Sequence, residues 1–458
     1  MRKPTIIMAM LAICLFTCEQ RSTTVQKFVG EQKHRYLVFM NPDYLKPMIL
    51  RNLDLNDKDI EKRTRDSIDV TITSFAKKMG VTDSVKTYAE LVVAFDALMT
   101  PEQASKVEAD KVAVLSVMAN LTIEGRPIQQ GRPIQQGATV ERDVIDNAPQ
   151  DWGLEPPTEN TFTSCAVARA GGADLGSGAT RRIWIVDTGI ATLNPHLKVE
   201  TALGKNFVPT VTSFEDDNGH GTMVAGVAAS RAIEWNRTTT PITRIVAGVS
   251  PGAGVVPVKV LDATGSGDWR WVLNGLGYIA TKANENDVIN LSLGEFVKRG
   301  TDCTTAFSGI KTAIENLVIG KKVFVVIASG NDGRRVRRSA PACIQFRPAA
   351  RSRIVIVGAA GCDKTCALFS NFGRKVDYVA VGVNVFTTYL QGSTGWQFFV
   401  ASGTSLSAGV VSGIIHSKGG LPNATAPTIL CRPNDTDADE PPASTDTREA
   451  DVYSYAIR

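Results

Sequence analysis

Three textures of apolar and polar residues follow one another along the chain. At the start, Arg2 and Lys3 precede an apolar run over residues 6–16, which breaks at Glu19-Gln20-Arg21. A short positive start, an apolar core and a polar exit describe a secretory signal peptide over residues 1–18. The run is too short for a bilayer, which takes about 20 apolar residues. Over residues 34–124 short elements alternate. Residues 36–40 read as a strand that Asn41-Pro42 ends, and residues 60–79 read as a helix with Ile68, Ile72, Phe75 and Met79 on one face. Residues 85–98 hold two apolar stretches. Thr100-Pro101-Glu102-Gln103 then opens a second helix, with Thr as cap, Pro at the first position and Gln at the third. Residues 112–117 close the unit as a strand. The order β-α-β-α-β predicts a small α+β domain.

The third texture is different. Residues 182–186, 255–261, 288–293, 322–328 and 353–357 are predominantly apolar strand-like runs without alternation, and helical stretches separate them. Strands without alternation are covered on both faces, so residues 147–420 are expected to form an α/β domain with a mostly parallel sheet and helices on both faces. Before it, Gly125-Arg126-Pro127-Ile128-Gln129-Gln130 is repeated at once as residues 131–136, and residues 125–146 read as a flexible linker. Residues 421–458 are polar and rich in Asp, Glu, Thr and Pro between Asn434 and Glu449, which predicts a mobile tail tethered at most through Cys431.

Composition refines this picture in three places. Of 458 residues, 50 are basic and 46 acidic, and a net charge of +4 gives no support to a nucleic-acid partner. The dense basic cluster Arg334, Arg335, Arg337 and Arg338 reads as a solvated loop. Cys14 and Cys18 fall in the signal, and a lipid-bearing Cys18 is the alternative to plain secretion. Cys165, Cys303, Cys343, Cys362, Cys366 and Cys431 remain, an even number that reads as disulfides in an exported chain. Cys362 and Cys366 are close enough to close a small loop, with Cys303–Cys343 and Cys165–Cys431 as the remaining pairing. No second close cysteine pair or nearby histidine completes a zinc site. Asn120, Asn236, Asn423 and Asn434 each open a glycosylation sequon, which matters only in a eukaryotic host.

Three segments carry candidate chemistry. Ile185-Val186-Asp187-Thr188-Gly189 places an acid at the end of a buried strand. Asp216-Asp217-Asn218-Gly219-His220-Gly221-Thr222 presents a histidine between glycines. Ser402-Gly403-Thr404-Ser405-Leu406-Ser407 places a serine at the start of a helix. A serine hydroxyl needs a base to become a nucleophile, and the base needs an acid to orient it. The chain has four histidines, His34, His196, His220 and His416; His34 lies in the first unit and His416 is further along the serine's helix.

Each segment resembles a triad segment of the subtilisin family, in that family's order of acid, histidine and serine. The resemblance runs from about Trp152 to Gly420, and its loops are nearest the proteinase K-like members. It implies a secreted serine endopeptidase with Asp187, His220 and Ser405 as the triad, acting through an acyl-enzyme on protein or peptide substrates. It implies further that Asn331, in Ser329-Gly330-Asn331-Asp332-Gly333, donates to the oxyanion. Ser292-Leu293-Gly294 and Gly265-Ser266-Gly267 become the two edges that hold substrate backbone. The small first unit resembles that family's inhibitory propeptide, which blocks the cleft with its own C-terminal residues and is cut off by the enzyme. A monomer with a mature N-terminus between Gly137 and Pro149 is expected. No cofactor is needed for the chemistry; family members often bind structural calcium, but no loop here spells out a site.

The chain departs from the family where Ala408-Gly409-Val410 replaces a Thr-Pro-His run, and where Glu295 stands for a common Gly. Glu295 either favours basic substrate side chains or points to solvent. An esterase of the Gly-x-Ser-x-Gly type is excluded by the acid-first order. A silent peptide-binding relative would not need the triad together with Asn331.

Overall fold

Alternation and capping in the first unit produce the elements that the sequence predicts, with one strand more. The computed structural model describes residues 32–41, 43–45, 60–88, 92–119, 122–125, 129–133, 164–231, 233–236, 243–391, 395–424, 429–431 and 451–458. They fall into two units, one up to Leu121 and one from Thr122. The first contains β1 (His34–Met40), α1 (Ile60–Lys78), β2 (Lys86–Tyr88), β3 (Ala94–Met99), α2 (Pro101–Ala109) and β4 (Val114–Met118). The two apolar stretches after α1 are separate strands, so the sheet has four strands in the antiparallel order β2-β3-β1-β4. Tyr36, Val38 and Met40 of β1 share a core with Phe95, Ala97 and Met99 of β3 and with Ile68, Ile72 and Phe75 of α1. The Phe75 and Phe95 rings meet edge to face at 6.4 Å. At α2 the capping box closes as expected. Gln103 N donates to Thr100 Oγ1 (3.2 Å), and Thr100 N donates to Gln103 Oε1 (2.9 Å).

In the second unit the strands are β5 (Thr122–Gly125), β6 (Gln129–Pro133), β7 (Arg182–Asp187), β8 (Lys198–Val199), β9 (Lys205–Asn206), β10 (Ile233–Asn236), β11 (Thr243–Val246) and β12 (Gly254–Lys259). They continue with β13 (Ser266–Asp268), β14 (Val288–Leu291), β15 (Leu293–Phe296), β16 (Phe324–Ala328), β17 (Ser339–Ala340) and β18 (Ile354–Ala360). The last are β19 (Tyr378–Val381), β20 (Val385–Gln391), β21 (Gly395–Ser402), β22 (Asn423–Ala424), β23 (Ile429–Cys431) and β24 (Asp451–Ile457). The central sheet runs β22-β24-β19-β18-β16-β14-β7-β12-β8, and every pair from β24 to β8 is parallel. β12, β16 and β18 are buried along their whole length, which requires cover on both faces. Helices α3 (His220–Ala229) and α6 (Thr404–Lys418) pack on each other and on the sheet. Helices α4 (Trp269–Lys282) and α5 (Ser308–Lys321) form a second packed pair that also meets it.

The strand order reverses beside β7: the chain goes first to β12 on one side of it, then to β14 on the other. In open parallel sheets such a reversal leaves a crevice outside the carboxyl ends of the strands. Asp187 is the last residue of β7, and Ser292 follows the end of β14.

Four expectations are corrected. The domain does not stop at residue 420, because β24 lies parallel to β19 in the central sheet and pairs with β22 and β23. The stretch from 125 is not all linker, since β5 and β6 are strands of this unit. Cys165 is bonded to Cys362 and Cys303 to Cys343. Cys366 is in a disulfide too, so the small Cys362–Cys366 loop does not form. Gly361 N donates to Thr365 O (2.7 Å) in a tight turn, and its return sets Cys366 opposite Ala360 rather than beside Cys362. Finally, the basic cluster is not simply solvated. Arg334 and Arg338 each lie 5.1 Å from the centre of the Phe296 ring, and Arg335 lies over Phe372. The expected signal, Trp152, the mature N-terminus and the polar stretch 434–449 lie outside the described residues.

Candidate active site

Both candidate catalytic side chains on helices sit in the first turn. His220 opens α3 and Ser405 is the second residue of α6, so each backbone N-terminus brings partial positive charge to the crevice. Gly219 caps α3 at φ +105°, a left-handed conformation, and a Cβ there would come within 1.9 Å of the Tyr389 ring. The two helices approach closely through Gly409, where a Cβ would meet Val227 Cγ1 at 2.6 Å. The departure Ala408-Gly409-Val410 thus belongs to the helix contact, and α6 continues through it.

The three side chains converge. His220 Nδ1 lies 2.7 Å from Asp187 Oδ1, and His220 Nε2 lies 3.1 Å from Ser405 Oγ. All three residues are buried. Asp187 Oδ1 also accepts from Thr188 N (2.7 Å). An imidazole so placed donates Nδ1–H to the carboxylate and presents Nε2 as acceptor to the hydroxyl, the tautomer a general base requires. Asn331 Oδ1 accepts from Thr404 N (2.9 Å) and Thr404 Oγ1 (2.8 Å). With its carbonyl end held by the residue before Ser405, the amide nitrogen is the end of Asn331 that can serve as a donor.

The two substrate edges need sorting. β5 lies between β13 and β15, antiparallel to both. Gly267 pairs with Ile123 and Ser266 with Glu124 on one side; Gly294 pairs with Glu124 and Leu293 with Gly125 on the other. Leu293, Gly294, Ser266 and Gly267 are therefore edge residues that hold an extended strand. Gly265 is instead a turn residue at φ +78°, donating to Asp262 O (2.9 Å). Ser292 turns its side chain inward: Oγ accepts from Asn290 Nδ2 (2.8 Å) and donates to Ser405 O (3.2 Å). Glu295 lies beyond the β5 pairing and opposite Ala340 of β17. A third edge was not anticipated. β6 pairs with β21 at Ser402–Gln129, Val400–Arg132 and Phe399–Pro133, just ahead of Ser405.

The model of the subtilase family, peptidase S8, matches residues 178–429, more than half of the chain. The chain belongs to the subtilase family. This subtilase is 34% identical over 264 residues to the minor extracellular protease Epr of Bacillus subtilis, which covers 57% of this chain and 34% of Epr. It is 34% identical to subtilisin amylosacchariticus of Bacillus subtilis subsp. amylosacchariticus, over 52% of this chain and 55% of that one. Thermitase of Thermoactinomyces vulgaris is 34% identical over 53% of this chain and 75% of its own. The subtilase spans between a third and somewhat over half the length of the first two relatives. Among its described residues no helix is long and apolar enough to cross a membrane, and no group of three or more His, Cys, Asp and Glu could hold a metal ion.

Proposed function

We propose that this subtilase is a serine endopeptidase that is exported, cuts itself free of its first unit, and hydrolyses peptide bonds in proteins. The observation that carries the reading is the continuous contact from Asp187 through His220 to Ser405 beside Asn331. His220 takes the proton of Ser405 as its oxygen attacks the carbonyl, then gives it to the departing amine. Asp187 holds the ring and stabilises its charged form. Asn331 donates to the oxyanion of the tetrahedral intermediate. Water then repeats the sequence on the acyl-enzyme. Substrate backbone lies extended between β13 and β15, bound by main-chain hydrogen bonds that read no sequence, so that pockets set the preference.

Two observations support self-processing. The strand that fills the place between the substrate edges is the chain's own β5, which begins three residues after the described end of the small unit. The small unit is a separate α+β body with its own core. Export is supported by the start of the sequence, by the disulfides and by the likeness to Epr, an extracellular protease. The test is a fluorophosphonate probe applied to wild type and Ser405→Ala. Wild type is labelled and shortened, whereas the variant stays unlabelled and full length. A variant that is still labelled overturns the triad; one that is unlabelled yet normally shortened overturns self-processing.

A further inference from the structure

The sequence names Asp216 only as part of the histidine's flanking segment, and the triad does not use it. Its buried carboxylate nevertheless gathers the donors around His220. Oδ1 accepts from Thr188 Oγ1 (2.8 Å), Asn218 N (3.1 Å) and Gly219 N (2.8 Å). Oδ2 accepts from Thr222 N (2.9 Å) and Thr222 Oγ1 (2.6 Å). Residues on both sides of His220 are thus tied to one carboxylate. Thr188 carries the tie across to the acid: its Oγ1 accepts from Gly221 N (2.9 Å), and its own N–H donates to Asp187 Oδ1 (2.7 Å).

A second tether holds Thr188 from its other end. Lys259, fully buried and in register with Asp187 on the neighbouring strand, donates to Thr188 O (2.5 Å), Leu261 O (2.9 Å) and Asp217 Oδ1 (2.6 Å). An ammonium has three protons to donate, and these contacts use all of them. Asp216 and Asp217, adjacent in sequence, therefore grip the hydroxyl and, through Lys259, the carbonyl of the same residue.

We propose that Asp216 is a positioning residue which, through Thr188 and the first turn of α3, fixes the separation of Asp187 from His220. It touches no substrate. Its carboxylate accepts at both oxygens, so an amide of the same shape must turn an N–H toward one set of donors. The ring of His220 then loses its alignment, and a misplacement of about 1 Å costs on the order of 10²-fold in rate.

This rests on the proposed catalytic reading, and the experiment separates the two. The full chain carrying Asp216→Asn, Thr188→Val or Thr188→Ser is compared with wild type in steady-state peptide hydrolysis, in the rate of labelling by a fluorophosphonate, and in pH profile. Asp216→Asn and Thr188→Val should lose on the order of 10²-fold in kcat and in labelling rate with KM little changed, and their pH profiles should shift. Thr188→Ser keeps the hydroxyl and should keep the wild-type profile. A lowered melting temperature with wild-type kcat and pH profile, or a loss confined to KM, overturns the proposal. If Asp216→Asn does not fold, Thr188→Val decides by the same readouts. Wild type that is not labelled at Ser405 overturns the catalytic reading instead.

Discussion

The molecule contains two buried histidines that each meet a serine hydroxyl, and only one of them has a carboxylate behind it. His220 opens its helix; His416 lies in the last turn of α6. His416 Nδ1 is 2.8 Å from Ser250 Oγ, a closer contact than His220 makes with Ser405. The difference lies at the other nitrogen. His220 faces the carboxylate of Asp187, which stabilises an imidazolium; His416 Nε2 faces the carbonyl of Arg181 at 3.1 Å, which orients the ring but brings no charge. Burial, with the charges of Arg181 and Lys198 nearby, pushes the pKa of His416 down to about 4. A neutral ring locked in place is a packing element. A His–Ser contact therefore says little alone, and the anion behind it and the donor beside the serine say much more.

The comparison can be broken at the donor first. Replacing Asn331 with Ala should lower kcat by about 10²- to 10³-fold and leave KM nearly unchanged, because the hydrogen bond matters chiefly once the oxyanion forms. Steady-state kinetics on a peptide substrate check this; a loss confined to KM would place Asn331 in ground-state binding.

The second way is through protons. A base whose folded pKa lies below its unfolded value binds its proton more readily when unfolded. The stability due to neutral His416 is fully present above about pH 6.5 and is lost as pH falls toward about 4. His196, also held near 4 by burial, acts in the same direction. Each full proton contributes roughly 1.4 kcal/mol per pH unit in that window. Melting curves of His416→Gln, measured alongside wild type from neutral to acid pH, should show a shallower dependence; an unchanged slope would mean that His416 does not titrate on unfolding.

The smallest effect is at Ser250. Ser250→Ala removes a buried hydrogen bond and should cost about 1 kcal/mol of stability, with labelling of Ser405 untouched. A fall in labelling would tie the two histidine sites together.

The sequence was most legible where chemistry or periodicity is local. Asp187, His220 and Ser405 sit in short segments whose neighbours are also needed, and the parallel strands betray themselves by lacking alternation. The capping box at Thr100 was legible for the same reason. What failed is non-local. Cys362 and Cys366 are neighbours in sequence, but a turn separates them and sends Cys362 to Cys165, 197 residues away. β24 follows a polar stretch, and only its place beside β19 makes it a strand of the core. Ser292 and Gly265 lie in the right segments, yet alternation and a left-handed turn take them out of the edge. The convergence on Asp216 could have been suspected from its place four residues before His220, but one of its donors, Thr188, comes from a separate segment after β7.

One feature of the active site bears on competition. β5 is covalently joined to the unit whose edges it occupies. A tethered strand faces its site at an effective concentration of about millimolar, whatever the concentration of the protein. A free peptide at micromolar level meets that occupant at a disadvantage of roughly a thousandfold unless it binds correspondingly better. Once the backbone between β5 and the rest of the unit is cut, the advantage becomes an ordinary bimolecular one and falls with dilution. On the proposed reading, the same main-chain pairing would act as a firm block in the intact chain and a weakening one in the cut chain, with no contact changed.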